Sequence, residues 1–237
     1  MQPTIPAVPA MPWPRLLAVL VGFPVVSTLV SLLLLRRDWA AALGVDFFTA
    51  FWGLIAVWYA VQILLLGRVL RGAGWDWRDI GFGLDRRRTL WMVGGYLVVA
   101  CALVAFIELA LREAGLSTDK LAGLSDLANL TPKTTSQRVA YVVMGLLAGL
   151  CEELVYRGFA IRGLASRGIP PWLAIPLAAI PFVFQHGLKS IEQAWWFGGW
   201  AIVFGILFVL LRKLYVNIAI HWLVILAALP AILQALQ

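Results

Sequence analysis

The chain places two adjacent carboxylates, Glu152 and Glu153, and a guanidinium, Arg157, inside a segment that is otherwise apolar from Val139 onward. A charged side chain near a bilayer centre costs at least ~2.5–3.5 kcal/mol even on a forgiving insertion scale, so this concentration of charge needs a purpose. On a helix, Glu153 and Arg157 stand at i and i+4 and can pair. Glu152 points about 100° away. The spacing thus assigns Glu153 and Arg157 to a structural ion pair and leaves Glu152 to face something else. The chain's two histidines, His186 and His221, also fall inside apolar segments. A single imidazole there is readily explained as a hydrogen bond between helices. Both of them, together with the carboxylate pair, are harder to explain that way. Helices folded onto one another can gather Glu152, His186 and His221 into one inward-facing cluster. Such a cluster can activate a water by general base catalysis, or around a metal ion for which these three residues make a plausible open site.

The run Glu152-Glu153-x-x-x-Arg157, then Phe182-x-x-x-His186, then His221 after Leu214-Tyr215-Val216-Asn217-Ile218-Ala219-Ile220, resembles a known three-motif signature. It is that of the CPBP family, the CAAX-processing and bacteriocin-processing enzymes also called Abi proteins, which are intramembrane proteases. The resemblance covers roughly residues 138–226. Glu-Glu pairs are common, so the first motif alone is moderately specific, whereas three motifs in order are strong. The resemblance implies that Glu152 and His186 activate the attacking water and that Arg157 holds Glu153. It further implies that His221 stabilises the oxyanion of a tetrahedral intermediate. It is compatible with a zinc ion or with the glutamate–histidine pair alone, and no cofactor is certain from it. One position departs: the family usually carries Asn or Asp four residues after the last histidine, where this chain has Ile225. Isoleucine offers no donor, and losing one oxyanion donor typically costs ~10²–10³ in rate. Asn217, four residues before His221 on the same helix face, is the candidate substitute.

The elements that must position these residues follow from composition. Of 237 residues, 62% are hydrophobic and 13% charged, which no ordinary soluble domain of this length could accommodate. Long unbroken apolar runs, without strand-like alternation, predict an all-α polytopic membrane protein with about seven (six to eight) transmembrane helices. The last four should form a polar-centred bundle. Expected spans are Leu16 to Leu35, Phe47 to Gly67, Thr89 to Ile107, Val139 to about Ala165, a fifth ending at His186, Ala194 to Leu211, and Leu214 to about Leu236. A Pro-rich tail (1–15) precedes them, residues 16–137 form the N-terminal helices with a basic interfacial loop, and 138–237 form the core that carries the motifs. Depth poses a problem: Glu152 lies at mid-membrane or inward of it, whereas His186 ends the fifth span. The two meet if that span starts deeper, near Ile175, after a re-entrant or interfacial stretch at Gly158 to Gly168.

The net charge of +7 sits between the apolar runs and reads as topology and headgroup contact, not as nucleic-acid binding. With seven spans and the N-terminus inside, inner segments hold twelve basic residues against seven outside, or eleven if Arg157 is intramembrane. That predicts an inner N-terminus, in what is expected to be a bacterial cytoplasmic membrane. Cys101 and Cys151 read as small buried hydrophobes. The leading expectation is an endopeptidase acting on a membrane-embedded or lipid-associated peptide or protein. A catalytically degenerate scaffold or bacteriocin-immunity-type protein is the alternative, motivated by Ile225. A transporter is the third reading, against which the lack of internal symmetry weighs.

Overall fold

The computed structural model describes residues 8–34, 36, 38–83, 132, 134–187 and 194–235, with eight single helical positions between 91 and 113. Most of the expected third span, most of the polar stretch before Thr134, and the start of the tail lie outside the described residues. The first span is α1 (Trp13–Leu17), a π-helical stretch π1 (Ala18–Gly22) and α2 (Phe23–Leu34). A short α3 (Asp38–Ala42) precedes α4 (Phe47–Gly72). Then come α5 (Thr135–Glu152), π2 (Glu153–Ile161) and α6 (Arg162–Ser166), continuous over 32 residues. α7 (Pro171–Gln185), α8 (Ala194–Leu211) and α9 (Leu214–Ala235) complete the chain. Among the described residues four helical segments, 13–33, 47–72, 135–166 and 194–211, are long and apolar enough to cross a membrane. α7 and the first part of α9 are shorter apolar helices. The protein is an all-helical, polytopic membrane protein.

The chain divides into two compact units, the first made of Met1–Leu33, Ala60–Gly83 and Cys151–Asn217. Every residue of π2 is buried in it. Gly158 permits this packing, because a Cβ there would lie 2.7 Å from Leu214 Cδ1 and 2.9 Å from the Ile80 carbonyl. Gly205 does the same for α8 on α7, where a Cβ would come within 2.7 Å of Ile175 Cγ2. Gly158 to Gly168 carries the rod begun by α5 on as far as Ser166. Its first half packs inside the unit, and Gly163 faces Leu16.

One end of this unit is stitched by polar contacts. Met11 N–H donates to Ser166 Oγ (2.9 Å), Trp75 Nε1–H to the Pro9 carbonyl (2.8 Å) and Arg162 Nε–H to the Asp79 carbonyl (3.0 Å). Leu214 N–H reaches the Gly81 carbonyl at 3.3 Å. The start of the first span, the segment after α4, the end of α6 and the turn between α8 and α9 thus lie together. This is the pairing of helix ends that the seven-span reading requires.

The second unit comprises Leu34–Tyr59, Leu84–Leu150 and Ile218–Gln237. Here Asp46 caps α4, accepting from Thr49 N–H (2.8 Å) and Thr49 Oγ1 (2.7 Å). Thr134 and Gln137 form a capping box on α5: Gln137 N–H donates to Thr134 Oγ1 and Thr134 N–H to Gln137 Oε1, each at 3.3 Å. Gln137 Nε2 then donates to Asp46 at 3.1 Å, so the starts of two helices are tied through one amide. Burial works to raise the Asp46 carboxyl, but the donors Thr49 and Gln137 outweigh it and hold it below the usual carboxylate value. Along α5, Gly145 and Gly149 face α9: added Cβ atoms would lie 2.8 Å from Ile225 Cγ2 and 2.7 Å from Trp222 Cδ1. Trp222 Nε1–H donates to the Leu146 carbonyl at 2.9 Å. A small-xxx-small pair of this kind lets two helix backbones approach closely.

Candidate active site

In the first unit Glu152 and His186 meet, with Nε2 of the imidazole 3.4 Å from Oε1 of the carboxylate. The depth problem is solved by helix length. The fifth span starts at Pro171, not near Ile175, and is only 15 residues long. Glu152 and His186 are nearly the same number of residues from the turn at 167–170, so antiparallel arms bring them level.

The imidazole is fixed on several sides. Nδ1 lies 2.9 Å from the Phe182 carbonyl, and because a carbonyl only accepts, Nδ1 carries a hydrogen. The ring stacks on Phe197 at 4.2 Å and meets the edge of Phe182 at 4.9 Å. Nε2 is therefore the nitrogen left for chemistry. Two residues not anticipated from the motifs join the pair. Gln185 Nε2 lies 3.5 Å from Glu152 Oε1, and the Tyr156 hydroxyl bonds Gln185 Oε1. The signal that could have exposed them is polarity: Gln185 is a buried amide in a segment with almost no other polar side chain.

Glu153 sits behind this pair and is fully buried. Arg157 Nη1 approaches its Oε1 at 3.3 Å, and Asn217 Nδ2 donates to Oε2 at 3.1 Å. The guanidinium lies 4.3 Å from the Phe182 ring centroid and 5.4 Å from that of Phe204. Asn217 Nδ2 also donates to the Phe204 carbonyl at 2.8 Å. Both amide hydrogens of Asn217 are thus engaged, which leaves none for an oxyanion in this arrangement. Asn217 braces Glu153 instead.

His221 belongs to the second unit, on α9, where its ring lies over Gly149. Ile225, one turn on, seats its Cγ2 over Gly145. A zinc ion at Glu152, His186 and His221 was an open expectation. The 3.4 Å contact is close to the spacing of two ligand atoms on a tetrahedral zinc bound at ~2.0–2.2 Å. Among the described residues, however, no group of three His, Cys, Asp or Glu is arranged to hold a metal ion. The pair alone does not complete a zinc site.

Fold and site together define a polytopic helical membrane protein in which a buried glutamate meets a partly buried histidine. Residues 134–227 match the family described as type II CAAX prenyl endopeptidase Rce1-like, in keeping with the resemblance carried by the motifs. The matched stretch holds Glu152, His186 and His221 and excludes the first two spans. No curated protein and no solved structure gives a significant match to the chain.

Proposed function

We propose that the protein is an intramembrane endopeptidase that hydrolyses a peptide bond of a membrane-associated protein or peptide. The observation that carries the reading is the contact between buried Glu152 and partly buried His186, whose Nδ1 is turned to the Phe182 carbonyl. Glu152 and His186 act on the attacking water together. The pair takes a proton from water as hydroxide adds to the scissile carbonyl, and returns it to the amine as the C–N bond breaks. His221, by the family resemblance, stabilises the oxyanion. An outward-facing apolar groove of about 490 Å³ between the first span and α7, lined by Pro24, Val25, Leu177 and Phe184 among others, supports a substrate that approaches from the lipid. The basic helix ends at one end of the first unit support an inner N-terminus, and a bacterial cytoplasmic membrane is the setting we assign.

The test uses the purified full-length chain in lipid nanodiscs, with a peptide ending in a CAAX sequence offered prenylated and unprenylated. Cleavage is followed by mass spectrometry. Glu152→Gln should lower turnover at least about 100-fold and leave the melting temperature close to that of the parent. Equal turnover in Glu152→Gln removes that residue from the chemistry. Ile225, which offers no donor and packs on Gly145, favours the scaffold reading as the alternative. A parent inert towards both peptides would make it the better one.

A further inference from the structure

We propose that Gln185, braced by Tyr156, is a positioning residue that holds the Glu152 carboxylate against His186. The kinetic part of this inference rests on the endopeptidase reading; the geometric part does not. Tyr156 lies four residues after Glu152 on the same rod, and Gln185 is the last residue of α7, immediately before His186. Both are buried, at 1% and 4% exposure. The Tyr156 hydroxyl must donate to Gln185 Oε1, because an amide oxygen only accepts. That contact decides which way the amide is turned, and its Nε2 is then directed at Glu152 Oε1, 3.5 Å away. This is the oxygen that His186 Nε2 approaches at 3.4 Å.

Two side chains therefore converge on one carboxylate oxygen, from the last residue of α7 and the residue after it, and Gln185 is anchored on the rod that carries the carboxylate. A glutamate has three side-chain torsions, and a working base must be held within ~0.5 Å of its productive place. Gln185 supplies that restraint. Phe197 and the Phe182 carbonyl do the corresponding work on the imidazole.

The experiment compares Gln185→Leu, Tyr156→Phe and the double variant in nanodiscs, with the prenylated CAAX peptide as the kinetic probe. Side-chain ¹⁵N resonances of labelled histidine give a second readout. With two histidines in the chain, the spectrum holds two imidazoles, assigned through His221→Gln. Gln185→Leu should lower kcat by ~10–100-fold with KM within about twofold, the usual loss when a group supporting a catalytic residue is removed. It should move the His186 Nε2 resonance and leave that of His221 in place. Tyr156→Phe should do the same to a smaller degree. Gln185→Leu strands the tyrosine hydroxyl, so its melting temperature may not be used alone; deleting both polar partners relieves that penalty. The double variant should therefore melt near the parent while kcat and the His186 resonance stay displaced. Recovery of kcat in the double variant would overturn the proposal, because the pair would then be structural. So would an unmoved His186 resonance in Gln185→Leu. A parent that cleaves neither peptide ends the endopeptidase reading, and the resonance still decides whether Gln185 positions the pair.

Discussion

Arg157 is a full charge at 2% exposure whose compensation is unusually specific: one carboxylate on its own helical rod and two aromatic faces. The i, i+4 spacing made the Glu153–Arg157 contact legible in the sequence. Nothing local could reveal that Asn217, 64 residues from Glu153, holds the other carboxylate oxygen. Likewise, Phe197 and Tyr156 are ordinary residues for apolar helices, and only packing across the chain turns them towards the site. Removing Arg157 leaves Glu153 buried with its countercharge gone. Arg157→Ala should cost about 3–5 kcal/mol, the range for breaking a buried ion pair from one side. The check is the melting temperature and the yield of monodisperse protein. A variant that melts with the parent would show that Asn217 alone suffices.

At the scale of elements, the apolar runs gave the described spans to within a few residues at most ends, because hydrophobic length is a strong signal. The start of α5 was placed late, at Val139, although Thr134-x-x-Gln137 is a capping-box pattern that marks helix onset at Thr135. The π-helical turns carry no comparable sequence mark, since they depend on what the rod packs against. Gly145 and Gly149 were legible only as glycines in an apolar helix; their task appears once Ile225 and Trp222 are seen over them. Gly149→Ala should force Trp222 to shift and strain its bond to the Leu146 carbonyl, at a cost of about 1–3 kcal/mol. Thermal unfolding measures it. Trp222→Ala in the same background should recover part of the loss, and if the two losses simply add, the close approach is not the cause.

At the scale of the whole molecule, the described helix ends make a statement about sidedness. Asp76, after α4, and Arg167, after α6, belong to the stitched end of the first unit, whereas Ala42 lies beyond the opposite end of α4. In a Cys101→Ser background, with Cys151 buried, single cysteines at 76 and 167 should react with an impermeant maleimide from the same side of oriented vesicles. A cysteine at 42 should react from the other side. Reaction of 76 and 167 from opposite sides would break the span order. The sequence could order these ends by counting spans and arginines, but the depth of the site depended on where two helices stop.

The near-equal arms around the turn at 167–170 also make the hairpin a ruler. Each residue of an α-helix advances ~1.5 Å and rotates ~100°, so a single insertion in α7 carries His186 past Glu152 and turns it away. A matched change in both arms keeps the two residues level and moves them together along the membrane normal. The arms can therefore lengthen or shorten only as a pair, and their common length sets how far from the turn the Glu152–His186 pair sits.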